Sequence, residues 1–185
     1  MSSNPSIIGR RSSLAGLTVA LATLCFAGTA LAERATLKYK SQIALKASPQ
    51  KAWDSFKTFD AIHTWHPATE GAHLLVGSNG KPLAVREFKL KGDPNSFVIS
   101  ELLAYNEARQ WFRYRIIKTS LPMANYVAEM WVKPAAGGGS VVHWSATFQR
   151  GDESPKPDQD DAATEKLIQT VFKAGLDNIA VITSR

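Results

Sequence analysis

Between positions 36 and 149 the chain alternates apolar and polar residues with a period of two, broken at intervals by short clusters of turn-forming residues. Leu37, Tyr39, Ser41, Ile43 and Leu45 set against Lys38, Lys40, Gln42 and Lys46 predict a strand over 36–46. Ser48 followed by Pro49 is a helix start, with Ala52, Trp53 and Phe56 supplying a short apolar face. A second short helix is expected over 60–65, stopped by His66-Pro67. Six further strands are expected near 70–76, 83–91, 97–105, 110–118, 125–133 and 140–149. Ser78-Asn79-Gly80, Gly92-Asp93-Pro94-Asn95, Asn106-Glu107, Leu121-Pro122 and Gly137-Gly138-Gly139 separate them, and such short links join antiparallel neighbours.

The period then changes. After a Pro- and charge-rich lead over 151–159, Asp160 and Asp161 open a stretch to about 182. Acidic residues there suit the positive end of a helix dipole. Leu167, Ile168, Val171, Phe172, Gly175 and Ile179 form an apolar stripe at helical spacing. A stripe of that breadth needs a partner, and the inner face of the sheet is the large one available. The fold class is therefore α+β, an antiparallel sheet of about seven strands around a long C-terminal helix, with two short helices after strand one.

Alternation also assigns the faces. On the side turned to the helix we place Arg86, Phe88 and Leu90; Phe97, Ile99 and Glu101; Phe112, Tyr114 and Ile116; and Tyr126, Ala128, Met130 and Val132. Leu167, Val171 and Gly175 face them, with Gly175 suited to a close approach of helix and sheet. These residues either fill a core or line a pocket, since the two share a composition. Arg86 and Glu101 are the sharpest pair, because neither charge is buried alone without a large desolvation cost. They are either a polar anchor for a carboxylate, hydroxyl or ketone on an apolar ligand, or a mutual salt bridge. Tyr114 and Tyr126 add hydroxyls. Apolarity turns Trp144 and Phe148 inward, whereas an outward Trp131–Trp144 pair would mark a docking surface.

Other chemistry finds little footing. His63 and His66 have H-x-x-H spacing with His73 behind them, but Pro67 ends any helix that would align the first two, so no metal site is expected. Trp65 is expected beneath the sheet's rim, with His66 in solvent. No G-x-S-x-G occurs, and no Lys-Ser/Thr follows the triple glycine, which reads as a hairpin tip. No cofactor is expected.

The first 32 residues read as a cleaved export signal: Arg10 and Arg11, the apolar run from Leu14 to Phe26, and the small-x-small sequence Ala30-Leu31-Ala32. The single cysteine, Cys25, leaves with it, so residues 33–185 form one disulfide-free domain. The formal charge of +6 becomes +4 without Arg10 and Arg11, from 20 basic and 16 acidic residues. The basic residues are scattered, and neither nucleic-acid binding nor a stable membrane anchor is expected; the expected location is periplasmic.

The order strand, two short helices, six strands, long helix resembles the helix-grip fold of the START/polyketide-cyclase/birch-allergen superfamily (SRPBCC). Local matches are Ala47-Ser48-Pro49 leading to Trp53, Phe59-Asp60 leading to Trp65-His66-Pro67, Glu101 in its strand, Leu121-Pro122 before Tyr126, and 172–178. The tracts 148–152 and 173–177 resemble the exported MxaD-like group. The resemblance implies a curved sheet wrapped round the helix and an apolar cavity for a small hydrophobic or amphipathic ligand. The residues expected to bind it are Arg86, Phe88, Leu90, Ile99, Glu101, Tyr114, Ile116, Tyr126, Ala128, Met130, Trp144, Leu167, Val171 and Gly175. For the MxaD-like group it implies support of a periplasmic quinoprotein alcohol (methanol) dehydrogenase or its cytochrome, without chemistry of its own. Two alternatives stand beside it: a cyclase- or dehydratase-like enzyme using Glu101, Arg86 and Tyr126, and an interaction module with a filled interior.

Overall fold

The structure, a computed structural model, describes residues 34–152 and 156–185. The expected export signal lies outside the described residues. Strand β1 (Leu37–Leu45) is followed by α1 (Pro49–Asp54), a turn of 3-10 helix at Phe59–Ala61 and α2 (Ile62–Trp65). Then come β2 (Thr69–Val76), β3 (Val85–Leu90), β4 (Asp93–Asn106), β5 (Trp111–Thr119), β6 (Met123–Pro134), β7 (Ser140–Arg150) and α3 (Asp161–Thr183). The strands form one antiparallel sheet in the order β1-β7-β6-β5-β4-β3-β2. Alternation and the final stripe predict the strands and the helix laid on their sheet, and the arrangement is the helix-grip fold that the resemblance implies. The starts of α1 and α3 are capped: Ser48 Oγ accepts from Lys51 N at 3.3 Å, and Asp160 Oδ1 from Ala163 N at 2.8 Å.

α3 lays Ile168, Phe172, Gly175, Leu176 and Ile179 against the sheet, all buried. Phe172 stacks on Trp144 with ring centroids 4.1 Å apart and meets Tyr39 edge-on at 5.5 Å. Gly175 sits where the approach is closest. A Cβ there would lie 2.8 Å from His66 Cδ2 and 2.9 Å from Trp144 Cζ3. Trp53 of α1, Phe56 just beyond it and Trp65 of α2 are buried together, joined by edge-to-face ring contacts.

The facing of β4 differs from the expectation. Ser96, Val98, Ser100 and Leu102 point inward and are buried, so Phe97, Ile99 and Glu101 point outward. The reason is register. Chain direction reverses at Lys91-Gly92, where Gly92 has φ +83°, and β4 begins at Asp93 rather than after Asn95. Arg86 then pairs with Ser100 and Phe88 with Val98, and cross-strand partners share a face. Bulges interrupt the pairing of β4 with β5 near Ser100 and near Leu102, and each adds local twist to the sheet. On β7, Trp144 and Phe148 are inward and buried. Trp131 pairs outside with His143 instead of Trp144, the rings stacked at 4.8 Å.

Candidate functional site

α3 and the inner sheet face do not close on each other everywhere. Toward the N-terminal half of α3 they leave a cavity of about 320 Å³. Of the residues expected to bind, Arg86, Phe88, Leu90, Tyr114, Ile116, Tyr126, Trp144, Leu167 and Val171 line it. Ala128 and Met130 face inward but lie in the packed core beside it. Gly175 belongs to the helix–sheet contact, and Ala174 reaches the cavity in its place. Ile99 and Glu101 are on the opposite face of the sheet. The wall also includes residues that alternation missed: Ile62, His66, Ala68, Thr69, Lys91, Val98, Ser100, Leu121, Met123, Ile168, Thr170 and Ala174. Val98 and Ser100 were legible in principle, by pairing β4 on β3 across a two-residue turn. Ala68, Lys91 and Thr170 are exposed and mark where the cavity meets the surface.

Arg86 is its polar centre, 3 % exposed. The expected Arg86–Glu101 pair does not form. Glu101 bonds Arg115 Nε across β4 and β5 at 2.6 Å, on the outside. Arg86 donates instead through Nε to Ser100 Oγ at 3.0 Å and through Nη1 to the carbonyl of Phe59. Its guanidinium lies over the rings of Phe59 at 4.1 Å, Phe88 at 5.3 Å and Tyr114 at 5.5 Å. Burial pushes its pKa down to about 10, with Tyr114, Tyr126 and Asp60 pulling the other way, so it is a cation at neutral pH. Asp60 is bonded to Asn79 near the surface, and no carboxylate lines the cavity among the described residues.

The other polar groups are donors or tied. Tyr114 and Tyr126 hydroxyls are 3.3 Å apart, and burial raises both pKa values, so both keep their protons. Trp144 Nε1 lies close enough to favour their ionised forms, yet it is buried with no hydrogen-bond partner among the described residues. His66 is buried, contrary to the expected solvent contact, because α2 ends against α3. Ala68 N donates to its Nδ1 at 3.3 Å, which leaves Nε2 to donate to Val171 O at 3.0 Å. That tautomer is neutral. Burial lowers the His66 pKa, opposed by the Val171 bond and reinforced by the charge of Arg86. His63 is exposed, and no group of three His, Cys, Asp or Glu suited to a metal occurs among the described residues.

The arrangement can hold an apolar body and present it with hydrogen-bond donors. An acid or base step through Glu101 is not available to it, since that carboxylate is outside.

A family model described as polyketide cyclase/dehydrase and lipid transport matches residues 36–181. Among solved structures, the chain is 22 % identical to the protein XoxI from Bacillus cereus, covering 79 % of this chain and 94 % of that one at a TM-score of 0.67. An uncharacterised protein from Bacillus thuringiensis is 19 % identical over 80 % of this chain and all of its own, at a TM-score of 0.68. A Thermobifida fusca protein is 23 % identical, covering 81 % and 93 %, at 0.64. These likenesses are of fold. No curated protein matches the sequence.

Proposed function

The chain belongs to the polyketide cyclase/dehydrase and lipid transport family, and from that premise we propose that it binds a small hydrophobic or amphipathic molecule in the cavity under α3 without transforming it. The observation that carries this reading is the unfilled space itself. About 320 Å³ lies among mainly apolar side chains in an otherwise close-packed interior, with a buried cation in its wall. That volume is at the lower end of ligand pockets. A merely structural interior would collapse onto it or fill it, since packing contacts are lost at every void. Native mass spectrometry of protein purified from its producing cell should show a retained small-molecule adduct. Protein that carries none, and that also leaves an added apolar probe unbound, would refute the reading.

The finer assignment is periplasmic, as an MxaD-like accessory to a quinoprotein alcohol dehydrogenase or its cytochrome. Its support is the export-type sequence before position 33 and the tracts 148–152 and 173–177. A partner would find on the outer sheet face the Trp131–His143 stack, with Lys40 Nζ 5.4 Å from the Trp131 ring. Cell fractionation tests the location. A pull-down from the periplasm of alcohol-grown cells tests the partner, and recovery of no dehydrogenase or cytochrome would count against it.

A further inference from the structure

Two donors in the cavity lack a close acceptor. A guanidinium has five N–H groups. Arg86 uses one at Nε and one at Nη1, and Nη2 makes no hydrogen bond among the described residues. Trp144 Nε1, in a side chain only 2 % exposed, lies toward the Tyr114 and Tyr126 hydroxyls but makes no close hydrogen bond among the described residues. Beside them are the two protonated tyrosine hydroxyls, of which one proton serves their mutual bond. Buried donors of this kind are normally satisfied, and a buried cation normally has an anion near it. The carboxylate whose charge reaches Arg86, Asp60, is engaged with Asn79.

We infer that the occupant is a small monocarboxylate, its carboxylate seated on Arg86 beside Tyr114, Tyr126 and Trp144 and its apolar tail directed to the mouth. The orientation follows from burial. Arg86, Tyr114, Tyr126 and Trp144 are each at most 5 % exposed, whereas Leu90, Ile116 and Leu167 are half-buried and lead outward. A carboxylate accepts two parallel N–H bonds from one guanidinium edge, and a neutral hydroxyl or ketone leaves more of those donors unpaired. Size follows from volume. At about 30 Å³ for each water-sized group, the cavity takes on the order of ten non-hydrogen atoms. Octanoate is a fitting probe, and n-octanol is its uncharged counterpart.

This inference rests on the cavity-binding reading, and the experiment separates the two. Isothermal titration at neutral pH compares octanoate with n-octanol on the wild-type protein and on Arg86→Met. The wild type should bind octanoate about ten- to a hundredfold tighter than octanol, the range of a charge-assisted hydrogen bond. Arg86→Met should abolish or reverse that preference while still binding octanol. The Trp144 indole proton should move in the NMR spectrum with octanoate and less with octanol. Octanol bound as tightly as octanoate by the wild type, or an undiminished preference in Arg86→Met, overturns the carboxylate inference alone. Binding of neither probe overturns the cavity reading with it. Should Arg86→Met fail to fold, the wild-type pair and the Trp144 resonance still decide.

Discussion

Replacing Gly175 by alanine sets two effects of opposite sign against each other. In an open helix interior the change stabilises by about 1 kcal/mol, because glycine has more backbone freedom to lose. Here the new methyl would lie 2.8 Å from His66 Cδ2, 2.9 Å from Trp144 Cζ3 and 3.1 Å from Trp65 Cζ3. All three are ring atoms of side chains no more than 3 % exposed, so none can swing aside. Trp144 is held by its stack on Phe172, and His66 by its bonds to Val171 and Ala68. Overpacking a core of this kind costs about 1–3 kcal/mol. Displacing His66 adds about 1 kcal/mol for a weakened hydrogen bond. The net expectation is destabilisation of about 2 kcal/mol, read as a lower urea midpoint at unchanged m-value. For a domain of this size that is a fall in Tm on the order of 4–8 °C. Ligand affinity should drop as well, because His66 and Trp144 are part of the cavity wall. A variant more stable than the wild type would refute the reasoning, for it would mean that helix propensity alone operates and that α3 does not press on these rings.

Two further changes probe the site from outside and from its wall. Glu101→Gln should leave ligand affinity unchanged and alter stability by less than about 1 kcal/mol, since Glu101 pairs with half-exposed Arg115 on the outer face; a tenfold loss of affinity by titration would put that carboxylate back in the cavity. His66 and His143 both have lowered pKa values, chiefly from burial, so both are neutral in the folded protein where the unfolded chain would be protonated. The His66 contribution is full above the unfolded value of about 6.5 and is lost as pH falls below it, at up to about 1.4 kcal/mol per pH unit, and the more open His143 adds less. Urea titrations from about pH 7.5 to about pH 5 should therefore show a shallower decline in His66→Gln than in the wild type, and equal slopes would show that His66 is not buried neutral.

Periodicity along the chain determined the element order, the antiparallel strands and the last helix, because strand and helix patterns are local and differ in period. It also placed Arg86, Tyr114 and Tyr126 toward α3 and Gly175 at a close approach, while the inward facing of Trp144, open to two readings in the sequence, was decided by the structure. What only the tertiary structure decided was where β4 starts and which partners the polar groups take. Phe97 and Ile99 are more apolar than Ser96 and Ser100, so a reading by hydrophobicity turns the strand over. The inner face needs a small residue at Ser100, because Arg86 lies across it and bonds its hydroxyl. His66 was misplaced for a similar reason, since its burial depends on a backbone carbonyl at Val171, more than a hundred positions away. Alternation reports the faces of a strand, but the phase of one strand against the next is set by where the turn falls and by the register that follows from it, which the pattern within either strand does not report.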